Sequence, residues 1–397
     1  MKRALIAVDI STVQNLNVAY GLAYGQQLIR KVADALRKHC SRDISLYHTY
    51  ENRFVFYVKV YHDAANLNIF CKAVSHTLEL LLTIEQIGWG IGVMKLEPKT
   101  WKNLDQMMSN LQIAAKRSLS HYEHACESCF FDRELETLIE REKTIQKELT
   151  EIASAERPER LVLQYQPIVD THTGQIRFFE ALARLHSDRL GLVSPLEFIP
   201  IAEKMRLIIP LGDQVIRNAL TFLQTLHRQG HHDIGVSINI SAFQLLKKGF
   251  LHFFSSLVRT LGVDPTRINL EITESVFTAN FSEVNNLLGQ LEHLGVRIAL
   301  DDFGTGYSSF AREQELNISC LKIDKFFIDN LIDTNEHEAI TGDIISMAHR
   351  LGHIVVAEGV GHEQQLKYLR HHHCDYIQGY LISRPVDETI ALSMAQS

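Results

Sequence analysis

Short β-rich apolar segments alternate with longer amphipathic segments between residues 158 and 397. The predicted strands are Leu163–Val169, Phe178–Leu182, Gly235–Ile240, Ile268–Thr273, Arg297–Leu300, Cys320–Ile323, Ile354–Ala357 and Tyr376–Leu381. Many of them are separated by amphipathic stretches such as Leu196–Leu207, Gly212–His227, Phe281–Leu294 and Glu338–Leu351. Eight strands that alternate with helices over this length predict an α/β fold, a (β/α)₈ barrel of the TIM type. A doubly wound open sheet is the structural alternative.

A smaller α+β domain is predicted before the barrel. Its pattern indicates a strand at Arg3–Asp9, a helix at Tyr24–His39, a hairpin of Ser45–Tyr50 and Phe54–Val60, a helix at Ala64–Leu82 and a strand at Trp89–Lys95. Between the two domains, Asp132–Arg160 is rich in strong helix formers and in opposite charges four residues apart, which predicts a connecting helix that ends before Pro158. We expect an apolar stripe on it, formed by Leu135, Leu138, Ile139, Ile145 and Leu149. The expected domains are 1–131, a linker 132–157, and 158–397.

Composition excludes several classes of protein. With 46% apolar and 22% charged residues the chain is typical of a folded globular protein. Its net charge of −7 argues against a protein that coats duplex nucleic acid. No apolar run is long enough to span a bilayer, and Asp9 ends the first one too early for a signal peptide, so we expect a cytoplasmic protein. Six scattered cysteines fit reduced thiols.

Polar residues at the strand ends carry the candidate chemistry: Glu180, Asn239, Glu271, Asp301, Asp302, Lys322, Glu358 and Gln378. Each alone is more often a solvated or paired side chain, but in a barrel the strand ends meet at one rim, so their recurrence predicts a shared site. Clustered carboxylates repel one another unless cations neutralise them, and oxygen ligands favour Mg²⁺ or Mn²⁺. The adjacent Asp301 and Asp302 suggest two bridged metals, an arrangement that suits phosphodiester hydrolysis. Lys322 would orient or deprotonate the water, or neutralise charge on the phosphate.

The ordered motifs resemble those of EAL-domain cyclic di-GMP phosphodiesterases. They are Gln164–Pro167, Glu180–Arg184, Ser237–Ser241, Glu271–Glu274, Asp301–Tyr307, Leu321–Asp324, Ala357–Val360 and Gln378–Tyr380, and they cover roughly residues 158 to 390. One such motif is weak evidence, whereas the full set in order is highly specific.

The resemblance implies hydrolysis of cyclic di-GMP to linear pGpG with two Mg²⁺ or Mn²⁺ ions. It implies that Glu180, Asn239, Glu271 and Asp301 bind one metal, and that Asp301, Asp302 and Glu358 bind the other. Lys322 would hold the attacking water. The expected catalytic residues are Lys322, Glu180 and Glu358. Gln166, Arg184 and Gln378 would hold the substrate, and Glu274 would fix the loop after Asp302. A homodimer is also expected.

Three positions depart from the family pattern. Gly361 stands where a glutamate is usual, Phe243 where an arginine is common, and Leu185 where a tryptophan follows Arg184. None of them removes a predicted metal ligand, so we expect activity, and Gly361 could loosen the turn beside Glu358. The alternatives are a catalytically silent cyclic di-GMP receptor and a barrel hydrolase for another phosphodiester.

The N-terminal domain resembles a degenerate GGDEF domain, a resemblance carried by Asp9-Ile10, Asn17, Tyr20-Gly21 and Gly25. Tyr50-Glu51-Asn52-Arg53-Phe54 stands where the Gly-Gly-Asp-Glu-Phe signature would be. Tyr50 adds bulk and Arg53 adds positive charge where a cation would bind, so we expect no cyclase activity. A GTP-binding regulator and an inert scaffold are both left open.

Three further motifs are expected to have ordinary structural roles. His121, His124, Cys126 and Cys129 offer zinc-type ligands, but at a spacing too close for a two-arm finger, so we expect a polar domain end. The His371–His373 run is expected to be solvated. Gly88, Gly90 and Gly92 lack the context of a dinucleotide loop, and we expect close packing to require them.

Overall fold

The computed structural model describes residues 2–10, 13, 21–50, 52–85, 87–96, 103–119, 128–273, 276–277, 281–303, 316–332 and 340–396. Contacts within the chain divide it into two units, 1–142 and 143–397, here called the N-terminal unit and the barrel unit. The division falls inside the connecting helix. The domain limits expected from the sequence stay a prediction.

The N-terminal unit is an α+β sandwich around one sheet with the strand order β2-β3-β1-β4-β5. Its elements are β1 (Lys2–Asp9), α1 (Leu22–Arg37), β2 (Ile44–Tyr50), β3 (Arg53–Tyr61), α2 (Ala64–Leu82), β4 (Gly90–Leu96), α3 (Leu104–Ser118) and β5 (Cys129–Phe131). The hydrophobic pattern did not predict α3 or β5. The apolar face of α3 is built partly from small residues, Ala114 and Ala115, and therefore has a weak periodic pattern.

The alternating glycines of β4 let α3 approach the sheet. A Cβ atom on Gly90 would lie 2.0 Å from the Ala115 carbonyl oxygen, and one on Gly92 would lie 2.4 Å from the Ala115 nitrogen. Both contacts are sterically impossible, so only glycine fits at these two positions. The expected close packing is confirmed for Gly90 and Gly92. Of the zinc-type motif, only Cys129 lies within the described residues, in β5.

The connecting helix α4 (Arg133–Ala153) takes part in two separate cores. Leu135 and Ile139 pack in the core of the N-terminal unit, whereas Ile145, Leu149 and Ile152 pack in that of the barrel unit. The expected single stripe is therefore wrong in part. Leu138, assigned to it, is 43% exposed.

The barrel unit closes a sheet of eight strands, with helices packed around it. Its elements in chain order are β6 (Leu161–Asp170), β7 (Ile176–Ser187), β8 (Gly191–Val193), α5 (Pro195–Lys204), α6 (Ile208–Arg228), β9 (Gly235–Asn239), α7 (Ala242–Leu245), α8 (Phe250–Leu261), β10 (Ile268–Thr273), α9 (Phe281–His293), β11 (Arg297–Phe303), β12 (Cys320–Ile323), α10 (Lys325–Asp329), α11 (Thr341–Arg350), β13 (Ile354–Ala357), α12 (Glu363–His371), β14 (Tyr376–Ile377), β15 (Val386–Asp387) and α13 (Glu388–Met394). The strand order runs from β6 through β14, β13, β12, β11, β10 and β9 to β7, and β6 pairs with β7 to close the ring. The predicted α/β barrel is confirmed.

The first barrel strand runs against the others, which departs from a regular (β/α)₈ barrel. β6 pairs antiparallel with both β7 and β14, while β7 and β9 to β14 pair in parallel. Only residues 171–175 connect β6 to β7, and a parallel connection needs a crossover of about a dozen residues or more. The short hairpin therefore sets the direction of β6.

The last predicted strand is shorter than expected. β14 ends at Ile377, whereas the pattern predicts a strand to Leu381. The chain turns at Gly379, whose carbonyl accepts a hydrogen bond from the Ile382 amide, and the backbone of Val360 lies too close to Gly379 for a side chain there. In the described part of the chain, no helix combines the length and the apolar character needed to cross a bilayer.

Candidate active site

A buried lysine lies at the centre of the barrel rim and contacts carboxylates from four other strands. The Lys322 side chain rises from β12, and its Nζ lies 2.6 Å from Glu271 Oε2 and 2.5 Å from Glu358 Oε1. Asp301 Oδ1 is 3.3 Å from the same nitrogen, and Glu180 Oε2 is 3.9 Å from it. Lys322 is completely buried. The structure thus brings these five predicted residues together; we call the four acids with Asp302 the carboxylate cluster.

Strand geometry explains why residues so distant in sequence meet. Glu271 on β10 lies opposite Asn239 on β9, and Asp301 on β11 lies opposite Thr273, so neighbouring parallel strands end at a common level. Side chains on alternate positions of each strand point into the barrel. Glu358 follows directly after β13, where its amide bonds to the Ile323 carbonyl of the adjacent strand.

Two amide side chains hold Glu180, and a third is linked to it through one of them. Gln378 Nε2 donates to Glu180 Oε2 at 2.6 Å and to Gln166 Oε1 at 3.0 Å. Asn239 Nδ2 donates to Glu180 Oε1 at 2.7 Å. Gln166 reaches this position because the antiparallel β6 places it directly opposite Glu180. Both oxygens of Glu180 therefore accept a hydrogen bond. Two predicted substrate ligands, Gln166 and Gln378, are hydrogen-bonded to each other.

An irregular backbone turns two adjacent acids toward the same side. Side chains of consecutive strand residues normally point in opposite directions. Asp302 has φ = 54°, in the left-handed region, and the pairing of β11 with β12 shifts register between Leu300 and Phe303. The Asp302 amide also donates to Asp301 Oδ1 at 3.0 Å. As a result, oxygens of Asp301, Asp302 and Glu358 all lie within 4.8 Å of one another, a group that could hold a metal ion.

Burial and mutual repulsion raise the pKa values of several cluster acids. Burial, together with the nearby Glu180 charge, raises the pKa of Glu271 well above its usual range. Burial raises the pKa of Glu358 to about 8, with the Asp301 charge acting in the same direction. Burial would also raise the pKa of Glu180, but the Lys322 charge and the amide donors lower it below its ordinary value. Raised pKa values of this kind are expected where one lysine faces more buried carboxyl groups than its charge can keep ionised.

The residues present fit a divalent cation. Glu271 Oε1 is buried and has no hydrogen-bond partner among the described residues, so it is an acceptor without a donor. The donor set consists of carboxylate oxygens and one amide, which is the oxygen-rich chemistry that Mg²⁺ and Mn²⁺ prefer.

Two grooves flank the cluster. The large groove, about 900 Å³, has mainly apolar walls and reaches the cluster at Arg184, Asn239 and Glu271. The small groove, about 510 Å³, lies beside Glu180, Asp301 and Glu358. Arg184, on β7, is half-buried in the large groove, and its Nε donates to Gln164 Oε1 at 2.9 Å. Gln164 was not among the predicted site residues, and its contact with Arg184 follows only from the pairing of β6 with β7.

Two expectations concern residues around the site, the loop after Asp302 and the turn at Gly361. Glu274 and the loop segment Gly304–Gly306 lie outside the described residues. The turn at Gly361 is held by Gln365, whose Oε1 accepts from the amides of Gly361 at 2.8 Å and His362 at 2.9 Å. Within the described residues, this contact restrains the turn that glycine was expected to loosen.

The closed barrel and the carboxylate cluster around the buried Lys322 define the class of this protein: an α/β barrel with a candidate cation site at its rim. Residues 150–385 match the model of the EAL domain, and this chain belongs to the EAL domain family.

Relatives and solved structures agree with this assignment. The chain is 31% identical to the cyclic di-GMP phosphodiesterase NbdA of Pseudomonas aeruginosa over 391 residues, which covers 96% of this chain and 48% of that protein. It is 29% identical to the bifunctional diguanylate cyclase/cyclic di-GMP phosphodiesterase MucR of the same organism, over 96% of this chain and 56% of that protein. The chain thus spans about half the length of these curated relatives.

Two solved structures share the fold. The PaMucR phosphodiesterase in its cyclic di-GMP complex matches with a TM-score of 0.58 and 34% identity, over 62% of this chain and 99% of that one. The EAL enzyme Bd1971 in its form with cAMP and cyclic di-GMP bound matches with a TM-score of 0.61 and 30% identity, over 75% of this chain and 77% of that one.

Replacing Lys322 with methionine should destabilise the metal-free protein. The change removes the buried positive charge from among four carboxylates, which should lower the free energy of unfolding by about 3 kcal/mol or more. The loss should be smaller at about pH 5 than at about pH 8, because carboxyls whose pKa is raised by folding stabilise the fold only while they are protonated. Denaturant unfolding at both values measures it. K367M, at an exposed helical position, is the control; equal losses for the two variants would contradict the charge account.

Proposed function

We propose that the chain hydrolyses cyclic di-GMP to linear pGpG with two divalent cations, Mg²⁺ or Mn²⁺, at the barrel rim. The observation that carries this proposal is the charge of the site. Cation binding requires the carboxylates to be ionised, and with all five ionised the cluster and the ammonium of Lys322 carry a formal charge of −4, which two divalent cations would balance. Support for the substrate comes from relatives named as cyclic di-GMP phosphodiesterases and from similar structures with cyclic di-GMP bound.

In this proposal Glu180, Asn239, Glu271 and Asp301 hold one cation, and Asp301, Asp302 and Glu358 hold the other. The orphaned Glu271 Oε1 and the close approach of the Asp301, Asp302 and Glu358 oxygens support this division. When bound, such ions lower the pKa of water and neutralise charge on phosphoryl oxygens.

Lys322 orients the attacking water in this mechanism. Although burial acts against the charge, the surrounding carboxylates, Asp301 first, raise the pKa of Lys322 well above its usual value. The side chain therefore stays an ammonium, which donates hydrogen bonds and cannot accept the proton of the water. Of the roles open to it from the sequence, orientation of the water and charge neutralisation are favoured over general base catalysis.

The two grooves would receive the two halves of the dinucleotide. They meet at the cluster, so a phosphodiester placed there can extend a guanosine into each side. Arg184 would bind a phosphate through a charge-assisted contact. Gln166 and Gln378 would serve the substrate only partly, because Gln378 also holds Glu180 and Gln166 accepts a hydrogen bond from Gln378.

The purified chain should convert cyclic di-GMP to pGpG in Mg²⁺ or Mn²⁺. E180A should abolish turnover, because it removes a carboxylate assigned to one of the two cations. Chromatographic detection of pGpG measures both. The control is E363Q, at an exposed position in the first turn of α12, which should keep wild-type turnover. Tight binding of cyclic di-GMP by the wild-type chain without product in either metal would instead indicate the silent receptor, and activity in E180A would contradict the metal assignment.

We further propose that the N-terminal unit is a degenerate GGDEF domain without cyclase activity. Arg53 Nε lies 3.2 Å from Asp9 Oδ2, and Asp9 is buried, so the guanidinium neutralises the acid that a catalytic cation would need. A groove of about 530 Å³ nearby is lined by Arg30, Arg37 and His48. Its positive side chains support binding of an anionic nucleotide, for which GTP is the candidate.

The connecting helix offers a route from such a regulator to the active site. Three apolar residues of α4, Ile145, Leu149 and Ile152, belong to the same hydrophobic core as Phe198 and Leu211. These two residues also line the large groove beside the carboxylate cluster. A shift of α4 would therefore move a wall of the groove.

GTP should bind the full chain, change the KM for cyclic di-GMP by about 5-fold or more, and yield no cyclic di-GMP. R30E should remove the effect because it reverses a charge in the groove of the N-terminal unit. Calorimetry with GTP and turnover assays in its presence measure this. R228A, on an exposed turn of α6, is the control; a GTP response that persists in R30E would contradict the regulator proposal.

The homodimer and the cytoplasmic location expected from the sequence stay predictions.

A further inference from the structure

An arginine and a phenylalanine form a stacked pair in the wall of the large groove. The guanidinium carbon of Arg206 lies 4.1 Å from the ring centroid of Phe243, well within the range of a cation–π contact. Both residues line the groove that reaches Asn239 and Glu271. The pair is exposed, so it can contact a bound molecule.

The backbone at Arg206 is strained. Its φ is 60°, in the left-handed region, two residues after α5 ends at Lys204. Helices often end with a residue in this conformation, and glycine is the usual choice because it carries no Cβ. Here the position carries a long cationic side chain, and the bond from the Leu207 amide to the Ala202 carbonyl at 2.8 Å holds the turn. An outlier of this kind often marks a functional position.

The guanidinium has hydrogen-bonding capacity to spare. No carboxylate of the described residues lies within ion-pair distance of Arg206. Phe243 covers one face of the group, and the planar N–H edge remains for a ligand. The wall thus presents a cationic donor to the groove.

An acceptor-rich planar edge matches this arrangement. The O6 and N7 atoms of guanine are two adjacent acceptors, and arginine binds them in a bidentate manner; adenine offers an amino donor in place of O6. The apolar walls of the groove suit a base, and the cation–π contact with Phe243 favours one position of the guanidinium in the wall.

We propose that Arg206, oriented by Phe243, binds the O6 and N7 atoms of one guanine of the cyclic dinucleotide. This assignment rests on the proposed function, because it takes cyclic di-GMP as the substrate. Arg206 contacts the base, and the carboxylate cluster performs the chemistry. The binding energy from Arg206 therefore appears in the KM.

The first test uses R206G, which removes the cation and relieves the backbone strain. Its thermal stability should equal or exceed that of the wild type, so a loss of function is not a loss of fold. The KM for cyclic di-GMP should rise roughly 10- to 100-fold, the range expected for a bidentate arginine–guanine contact, with a nearly unchanged kcat. R206K should not restore the KM, because an ammonium lacks the planar fork. R228A is the arginine control and should match the wild type.

A swap variant tests the position of the guanidinium. Because the Arg206 guanidinium lies over the Phe243 ring, R206G/F243R would deliver the same group to about the same place from the other residue. We expect this double variant to recover part of the lost KM relative to R206G. A double variant with a KM no better than that of R206G would contradict the placement.

The atom-level test compares cyclic di-GMP with its 7-deazaguanine analogue, which lacks the N7 acceptor. The wild type should show a KM roughly 10-fold higher for the analogue, as expected for one hydrogen bond to a charged donor, whereas R206G should treat both compounds alike. An unchanged KM in R206G, or the same analogue penalty in both proteins, would overturn the role of Arg206. A wild-type chain that hydrolyses neither compound in Mg²⁺ or Mn²⁺ would contradict the proposed function itself.

Discussion

The contact of the Lys322 ammonium with carboxylates from four other strands constrains the whole barrel rim. A fully buried ammonium is strongly disfavoured unless it is paired, and here each partner comes from a different strand. The strands must therefore close in the right order and register before the charges can meet. Buried ion pairs are weak evidence for stability, since well-packed apolar residues often do as well. The arrangement is better explained by function, as an excess of oxygen ligands around one positive charge.

Two irregularities in the barrel bring the remaining side chains to this centre. The antiparallel direction of β6 puts Gln166 opposite Glu180, where a parallel strand would have offered a different residue. The left-handed backbone of Asp302 turns its carboxylate to the side of Asp301 and Glu358. Functional sites are where local rules of regular structure are most often broken. Both departures serve the same cluster.

The sequence was sufficient to predict the barrel, most of its strands and the acids at its rim. Repeated apolar runs that each end in a polar residue are typical of barrel strands, whose ends must meet at a shared face. The direction of β6 was not predictable from periodicity, because an alternating pattern reads the same in parallel and antiparallel strands; the short connection at residues 171–175 was the available signal. Nothing in the pattern indicated that Gln378 would hold Glu180, which requires both strands in place. Arg206 was missed for a similar reason, since neither its left-handed backbone nor its contact with Phe243 is written in local sequence.

If divalent cations complete the acidic rim, calorimetric titration of the full chain with Mn²⁺ in the absence of substrate should detect them. Two ions per chain should bind to the wild type, and at most one should bind tightly to D302N, which neutralises an acid assigned to a single cation. A wild-type chain that binds no Mn²⁺, or a D302N variant with the stoichiometry and affinity of the wild type, would contradict the account.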